Sequence, residues 1–437
     1  MNRASRIPAG RLERLARIGW LGAEVAVGGA FEGLRRVGGA AQEAGNVFLT
    51  PANADRLVRR LSRLRGAAMK AGQMLSMEAS DLLPPQVAER LADLRADGDA
   101  MQPDQLEGVL TEAWGPDWRG RLHHFDPEPM AAASIGQVHA AVDLEGRDLA
   151  VKVQYPGVAE SIGSDVDNLA AAFRMARILP RDFDMAPIVE DTKRQLSEEA
   201  DYALEAERLA RYARLLRGEP GVVVPEVHAG LTTPRVLVMQ RLFGVPLEDL
   251  CGPDHDPAER DRAAALLIRL MLRELFEFRF MQTDPNFANY LWLGDGRIGL
   301  LDLGAGQALP RSLTDGYAGL FRSALADDRP GLERAVRALG FVEAGDPPAL
   351  VRGVLDLVRL ATEPFRTPGP YDFGRSDLPA RARDAGAEFV LGGAVRRAPP
   401  ARTLFVQRKL GGTFLLCHRL GARVDARRIL EAALERG

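Results

Sequence analysis

The fold of this chain is most tightly restricted by one stretch in its second half, Phe280-Met281-Gln282-Thr283-Asp284-Pro285-Asn286-Phe287-Ala288-Asn289, and by Leu300-Leu301-Asp302-Leu303-Gly304 shortly after it. Asp284 and Asn289 stand five residues apart, and Asp302 follows thirteen after Asn289. Between Asn289 and Asp302 lie a short apolar segment, Tyr290-Leu291-Trp292-Leu293, a turn, Gly294-Asp295-Gly296, and a second apolar segment from Ile298 to Leu301. Short apolar runs joined by a Gly-containing turn read as a hairpin. The stretch therefore predicts a loop, a β-hairpin and an acidic residue at the strand end.

Phosphoryl transfer of the kinase kind uses the same side chains in the same order: a catalytic-loop Asp, an Asn that holds metal and an Asp-x-Gly that holds metal. The types suit the chemistry, because Mg²⁺ carried by ATP is a hard cation that prefers carboxylate and amide oxygens. A polar turn between two strands would look similar, so the upstream residues must decide. Ala131-Ala132-Ala133-Ser134 opens a small-residue loop that runs through Ile135 and Gly136 into a strand, and Arg147 to Gln154 alternates as a second strand carrying Lys152. Small residues let backbone N–H groups approach an anion, and a strand lysine can reach its phosphates. A helix is expected from about Pro187 to Leu216, with Glu199, Asp201 and Glu205 all candidates to pair with Lys152. Val222–Pro225 and Arg235–Met239 read as two further strands, and Gln240-Arg241-Leu242-Phe243-Gly244 as the connector where an adenine would meet backbone.

Composition excludes several alternatives. The chain has 437 residues, long enough for two or three domains or one large two-lobed one. A formal net charge of -3 gives no support to a nucleic-acid binder. With only Cys251 and Cys417, neither a disulfide framework nor a Cys-rich metal site is available. The six histidines are scattered apart from His123-His124, which reads as a surface pair. No apolar run reaches the roughly 18 residues that span a bilayer, and no signal peptide is expected.

Along the chain, residues 1–50 are Gly/Ala-rich and locally basic. Arg3, Arg6, Arg11, Arg14 and Arg17 accompany Leu12, Leu15, Ile18, Trp20 and Leu21 at helical spacing, the pattern of an amphipathic helix at a membrane surface or of a solvated helix on the main body. Residues 51–125 read as a helical extension. It includes Lys70 and Gln73, three apart and so on one helix face, and a short helix that ends near Trp114-Gly115-Pro116. Beyond residue 258, Leu266, Leu267, Leu270, Leu275 and Phe276 predict a helix delivering the chain to Asp284. Helices to about Arg359, a Pro/Gly-rich loop over Glu363–Gly374 and two more helices complete the expectation.

Lys70-Ala71-Gly72-Gln73, Ala131-Ala132-Ala133-Ser134, Glu199-Ala200-Asp201, Met281-Gln282-Thr283-Asp284-Pro285-Asn286 and Asp302-Leu303-Gly304 occur together in one order. In this combination the chain resembles the UbiB/AarF-type atypical kinases, in the branch of the mitochondrial coenzyme Q biosynthesis kinase. Tyr155-Pro156-Gly157-Val158-Ala159, Arg273-Glu274-Leu275-Phe276-Glu277-Phe278 and Arg408-Lys409-Leu410-Gly411-Gly412 extend the match, which runs from about Leu57 to the C-terminus.

The resemblance implies an α+β, protein-kinase-like two-lobed fold, with an N-terminal helical extension covering the active site. It places the N-lobe at 126–243 and the helical C-lobe at 244–437. It implies ATP and Mg²⁺ as cofactors, ATPase rather than convincing protein kinase activity, and a role in ubiquinone biosynthesis. Its residues would divide the work as follows: Lys152 on the α/β-phosphates with an acid of the 199–205 helix as anchor, Asp284 in the catalytic position, Asn289 and Asp302 on Mg²⁺, and Lys70 and Gln73 over the nucleotide. Ubiquinone-biosynthesis proteins or lipid precursors are the implied partners, in the cytoplasm with peripheral contact to the inner membrane. Leu303 replaces the Phe of the parent kinase motif, and no Ala-Pro-Glu follows Gly304, so the usual peptide-docking segment is missing. A small-molecule or lipid kinase, or a non-catalytic nucleotide-gated scaffold, are the alternatives.

Overall fold

In the computed structural model, which describes residues 100–175, 186–252, 254–391 and 400–436, the run around Val151 forms strand β3 (Asp148–Gln154). Lys70, Gln73 and the basic N-terminal segment lie outside the described residues. The chain divides into two units: residues through Glu207 with Glu226–Arg241, and Arg208–Pro225 with Leu242 onward.

In the first unit β3 is an inner strand of a four-stranded antiparallel sheet. Its partners are β1 (His124–Ala132), β2 (Gly136–Val142) and β5 (Val236–Gln240), in the order β1-β2-β3-β5. Every β3 residue from Leu149 to Gln154 is buried, so the sequence alternation does not mark a solvent-facing side. Helix α1 (Pro103–Trp114) packs against β3 and ends at Gly115, where φ is +88°, with the Trp114 indole N–H donating to Leu231 O at 2.7 Å. The alanine stretch sits at the β1–β2 turn. Gly136 begins β2 with its Cα so close to β3 that an added Cβ would fall on Val153 O and come 2.8 Å from the Tyr202 hydroxyl. Only glycine fits there.

The helix expected from about Pro187 to Leu216 is two helices, α3 (Ala186–Glu199) and α4 (Tyr202–Leu215), which follow α2 (Val158–Met175). Asp201 breaks the run by capping α4: its Oδ1 accepts from Ala203 N at 3.0 Å and Leu204 N at 3.3 Å. Such a local side-chain bond competes with continued helix.

The second unit contains β4 (Val222–Val223), β6 (Val245–Pro246), β8 (Tyr290–Trp292) and β9 (Ile298–Leu300) in one sheet, ordered β4-β9-β8-β6. A separate ribbon pairs β7 (Phe280–Gln282) with β10 (Gly306–Ala308). Helix α5 (Pro257–Arg273) starts at Asp256, whose side chain accepts from Ala258 N, and buries Leu266, Leu267, Leu270 and Met271. It continues as a single π-helical turn, Glu274–Phe278, stopped by Arg279 in the left-handed region at φ +47°. Then come α6 (Arg311–Leu325), α7 (Arg329–Leu339), α8 (Pro348–Ala361) and the short α9 (Glu363–Arg366). Beyond Gly374 there are three helices rather than the two expected: α10 (Leu378–Leu391), α11 (Ala401–Arg419) and α12 (Ala426–Arg436). Gly421, at φ +64°, lets the chain leave α11, and Arg423–Val424 then pairs with Tyr371–Asp372 before α12 starts. Both α11 and α12 pack on α5.

Candidate functional site

In the first unit, the buried ammonium of Lys152 is 2.9 Å from Glu205 Oε2 and 3.0 Å from Oε1, with the two residues 5% and 0% exposed. It also lies 4.9 Å from the centre of the Tyr202 ring. Removing an ammonium and a carboxylate from water is costly unless they meet in good geometry, and a two-oxygen contact supplies it. Gln154 explains the aim. It projects from the same face of β3 as Lys152, two residues on, and its amide donates to Ala200 O and, at 3.2 Å, to Pro234 O. The α3–α4 junction is thereby tied to β3, and Glu205 follows one turn into α4. Sequence reasoning passed over Gln154, although the two-residue period was available to find it.

The other acids do different work. Glu199 accepts a hydrogen bond from the Ser134 hydroxyl at 2.8 Å, linking the end of α3 to the β1–β2 turn. Asp201 is the α4 cap. Ala131 and Ala132 are exposed, Ala133 and Ser134 half-buried. Gln240 closes β5, its N–H bonded to Glu226 O at 2.7 Å, and Arg241 N donates to Asp148 O at 3.0 Å. Leu242 is half-buried and Phe243 is 62% exposed.

In the second unit, two residues singled out from sequence touch, and a third is tied to them through the backbone of its neighbour. Asn289 Nδ2 donates to Asp284 O at 2.8 Å and approaches Asp284 Oδ2 at 3.3 Å. Asn289 O accepts from Leu301 N at 2.9 Å, which brings the residue preceding Asp302 against the loop. Asp302 Oδ1 accepts from Gly304 N at 2.8 Å. Asn286 caps the 3₁₀ turn Phe287–Asn289, and Thr283 bonds Ala305 O through both N–H and hydroxyl. The hairpin expected between Asn289 and Asp302 is β8–β9. Two carboxylates and an amide oxygen make a donor set of the hard kind that suits Mg²⁺.

The Asp284 loop rests on a buried polar cluster that the sequence did not reveal. Glu274 and Lys409 are 0% and 2% exposed and form an ion pair at 3.1 Å. Burial pushes the Glu274 carboxyl above its ordinary range against the pull of Lys409. Burial alone would lower Lys409, but Glu274 holds it above the ordinary lysine value. Glu274 Oε1 accepts from the Tyr212 hydroxyl at 2.8 Å and from Gln282 N at 3.4 Å, the surroundings of a charged carboxylate.

Elsewhere among the described residues, Asp143, Glu145 and His228 converge with oxygen and nitrogen atoms within 4.8 Å. Arg147 already bonds Asp143 at 2.6 Å and Glu145 at 2.5 Å. No helix among the described residues is long and apolar enough to cross a membrane.

With this geometry in hand, a family profile for the ABC1 atypical kinase-like domain matches residues 93–336. The chain belongs to that family. It is similar over 439 aligned residues to the rat mitochondrial atypical kinase COQ8B, 38% identical, with all of this chain and 82% of the rat protein covered. Similarity to the Saccharomyces cerevisiae mitochondrial atypical kinase COQ8 is 33% over 431 residues, covering 98% of this chain and 86% of the yeast protein. These are the mitochondrial kinases of the branch to which the motifs pointed. Among solved structures, the complex of Rv3197 with erythromycin from Mycobacterium tuberculosis is similar at a TM-score of 0.63 and 26% identity, covering 87% of this chain and 95% of that one. The mixed α/β, kinase-like fold is thus established for this family member.

Proposed function

We propose that this atypical kinase binds Mg-ATP, hydrolyses it or transfers its γ-phosphoryl group, and supports ubiquinone biosynthesis from the membrane surface. The observation that carries the nucleotide part is the buried Lys152–Glu205 pair, since a strand lysine held by a helix glutamate is how kinases present an ammonium to the α/β-phosphates. Glu205 anchors Lys152, while Glu199 and Ser134 steady the Ala131–Ser134 turn over the phosphates. Backbone groups of Gln240, Arg241, Leu242 and Phe243 meet the adenine. Asp284 orients the attacking hydroxyl or water, and Asn289 and Asp302 hold Mg²⁺. The metal's contribution, when bound, is to offset charge on the β- and γ-oxygens. Lys70 and Gln73 belong to the covering segment by resemblance. In this reading the N-lobe spans 126–243 and the C-lobe 244–437. The ubiquinone part is supported by the similarity to the COQ8-named kinases.

Asp302→Asn tests the metal assignment. Removing a carboxylate from a divalent-ion site removes the charge that offsets metal and phosphate, so the variant should lose Mg-ATP stabilisation in a thermal-shift assay while keeping its fold. An unchanged Mg-ATP shift would exclude Asp302 as a ligand. Labelled-ATP turnover with and without a membrane extract, followed by mass analysis of products, separates hydrolysis from phosphorylation of a small molecule or lipid.

A further inference from the structure

Two neighbouring stretches and one more than a hundred residues away meet beneath the Asp284 loop. Glu274 opens the π-helical turn after α5, Gln282 ends β7, and Lys409 lies on α11. The Lys409 ammonium is 3.1 Å from Glu274 Oε2, 3.3 Å from Gln282 Oε1 and 3.4 Å from the Tyr290 hydroxyl. Gln282 passes the contact on: its Nε2 donates to Asp284 O at 2.6 Å. One helical turn beyond Lys409, on the same face, Gly412 takes Pro285 against bare backbone. A Cβ there would fall on Pro285 Cγ and stand 2.9 Å from Pro285 Cβ. The same helix therefore touches the residue two before Asp284 and the residue directly after it.

A carboxylate carried by a loop is only as well placed as the backbone beneath it, and an error of an ångström can cost a catalytic site about 100-fold. We infer that α11 clamps the Asp284 loop: Lys409, oriented by Glu274, fixes Gln282, while Gly412 seats Pro285, and together these positioning residues set where the Asp284 carboxylate stands. This rests on the reading of Asp284 as the catalytic acid. A π-helical turn fits the role, since such turns re-aim side chains that a regular helix would point elsewhere, and here Glu274 begins one.

Two variants of the full chain test the clamp by different routes. Gly412→Ala pushes on Pro285 and leaves the ion pair intact. The double variant Glu274→Gln, Lys409→Met removes both charges together, so no unpaired charge is buried, and keeps an acceptor for Tyr212. In each, hydrogen–deuterium exchange over residues 282–289 should rise while α5 keeps its protection. Turnover should fall by about tenfold or more, a larger loss than the weakening of Mg-ATP binding that follows from Asn289 sharing the loosened loop. Parental protection of 282–289 in both variants would overturn the clamp. So would a loosened loop with parental turnover, provided that Asp284→Asn abolishes turnover. If Asp284→Asn itself turns over like the parent, the catalytic reading of Asp284 is what fails. The exchange result then still reports whether α11 holds the loop.

Discussion

Lys152 and Glu205 are each tolerable in the interior only because of the other. Truncating one partner strands a buried charge, whereas neutralising both does not. Glu205→Ala should lower stability by about 3–5 kcal/mol in urea unfolding, and the double variant Lys152→Met, Glu205→Gln should recover most of that loss. If the single and double variants were equally unstable, packing rather than charge would be the cause. His139 is a further buried ionisable group with a readable consequence. Its ring stacks on Phe125 at 5.0 Å, Nδ1 donates to Asp126 O at 2.8 Å, and Nε2 accepts from Gln137, whose own Oε1 is taken by Met101 N. Burial therefore holds its pKa below the ordinary 6.5, despite the Asp126 carbonyl. Folded and unfolded chains both carry neutral His139 above that value. Below it the unfolded chain takes up a proton that the fold resists, so stability declines as pH falls from about 6.5 towards the folded-state value. His139→Gln should flatten the melting-temperature curve between pH 7.5 and 5, and a slope as steep as the parent's would clear His139 of the effect.

At the scale of elements, the hairpin β8–β9, the strand bearing Lys152 and the end of α1 at Trp114 were legible because each follows from local pattern: short apolar runs, a two-residue period, a Gly-Pro stop. The break between α3 and α4 was not, although Asp201 was in view as a candidate site residue. An aspartate inside a helical period reads equally as a surface position or as a cap, and the difference is made by Gln154 pulling Ala200 onto β3. Asp201→Ala should cost about 1 kcal/mol of stability, by urea midpoint, through loss of the cap. A change within error would mean that the Gln154 tether alone defines the start of α4. The third C-terminal helix was missed for a related reason, since its boundary is a glycine turn whose pairing partner, Tyr371–Asp372, lies about fifty residues upstream.

For the whole molecule, the remaining expectation is attachment to a membrane surface through the N-terminal segment, which lies outside the described residues. Five arginines by residue 17 and the Leu12, Leu15, Ile18, Trp20 and Leu21 stripe predict reversible, salt-sensitive binding, at about 1 kcal/mol per basic residue near an anionic surface. The full chain should float with cardiolipin-containing liposomes at low salt and less at high salt, and a form lacking residues 1–22 should not. Equal flotation of the truncated form would move the binding surface to the kinase-like body. Across all three scales, the division between sequence and fold has one cause. Residue types and short spacings single out Lys152, Asp284, Asn289 and Asp302 as candidates for phosphoryl transfer, because hard-cation and phosphate chemistry admits few side chains. Which of Glu199, Asp201 and Glu205 would pair with Lys152, and that Lys409 and Gly412 would meet the Asp284 loop from more than a hundred residues away, only tertiary structure decided. Those choices depend on where helices lie on strands, and a buried charge or a bare glycine takes its meaning from the neighbour that the fold brings to it.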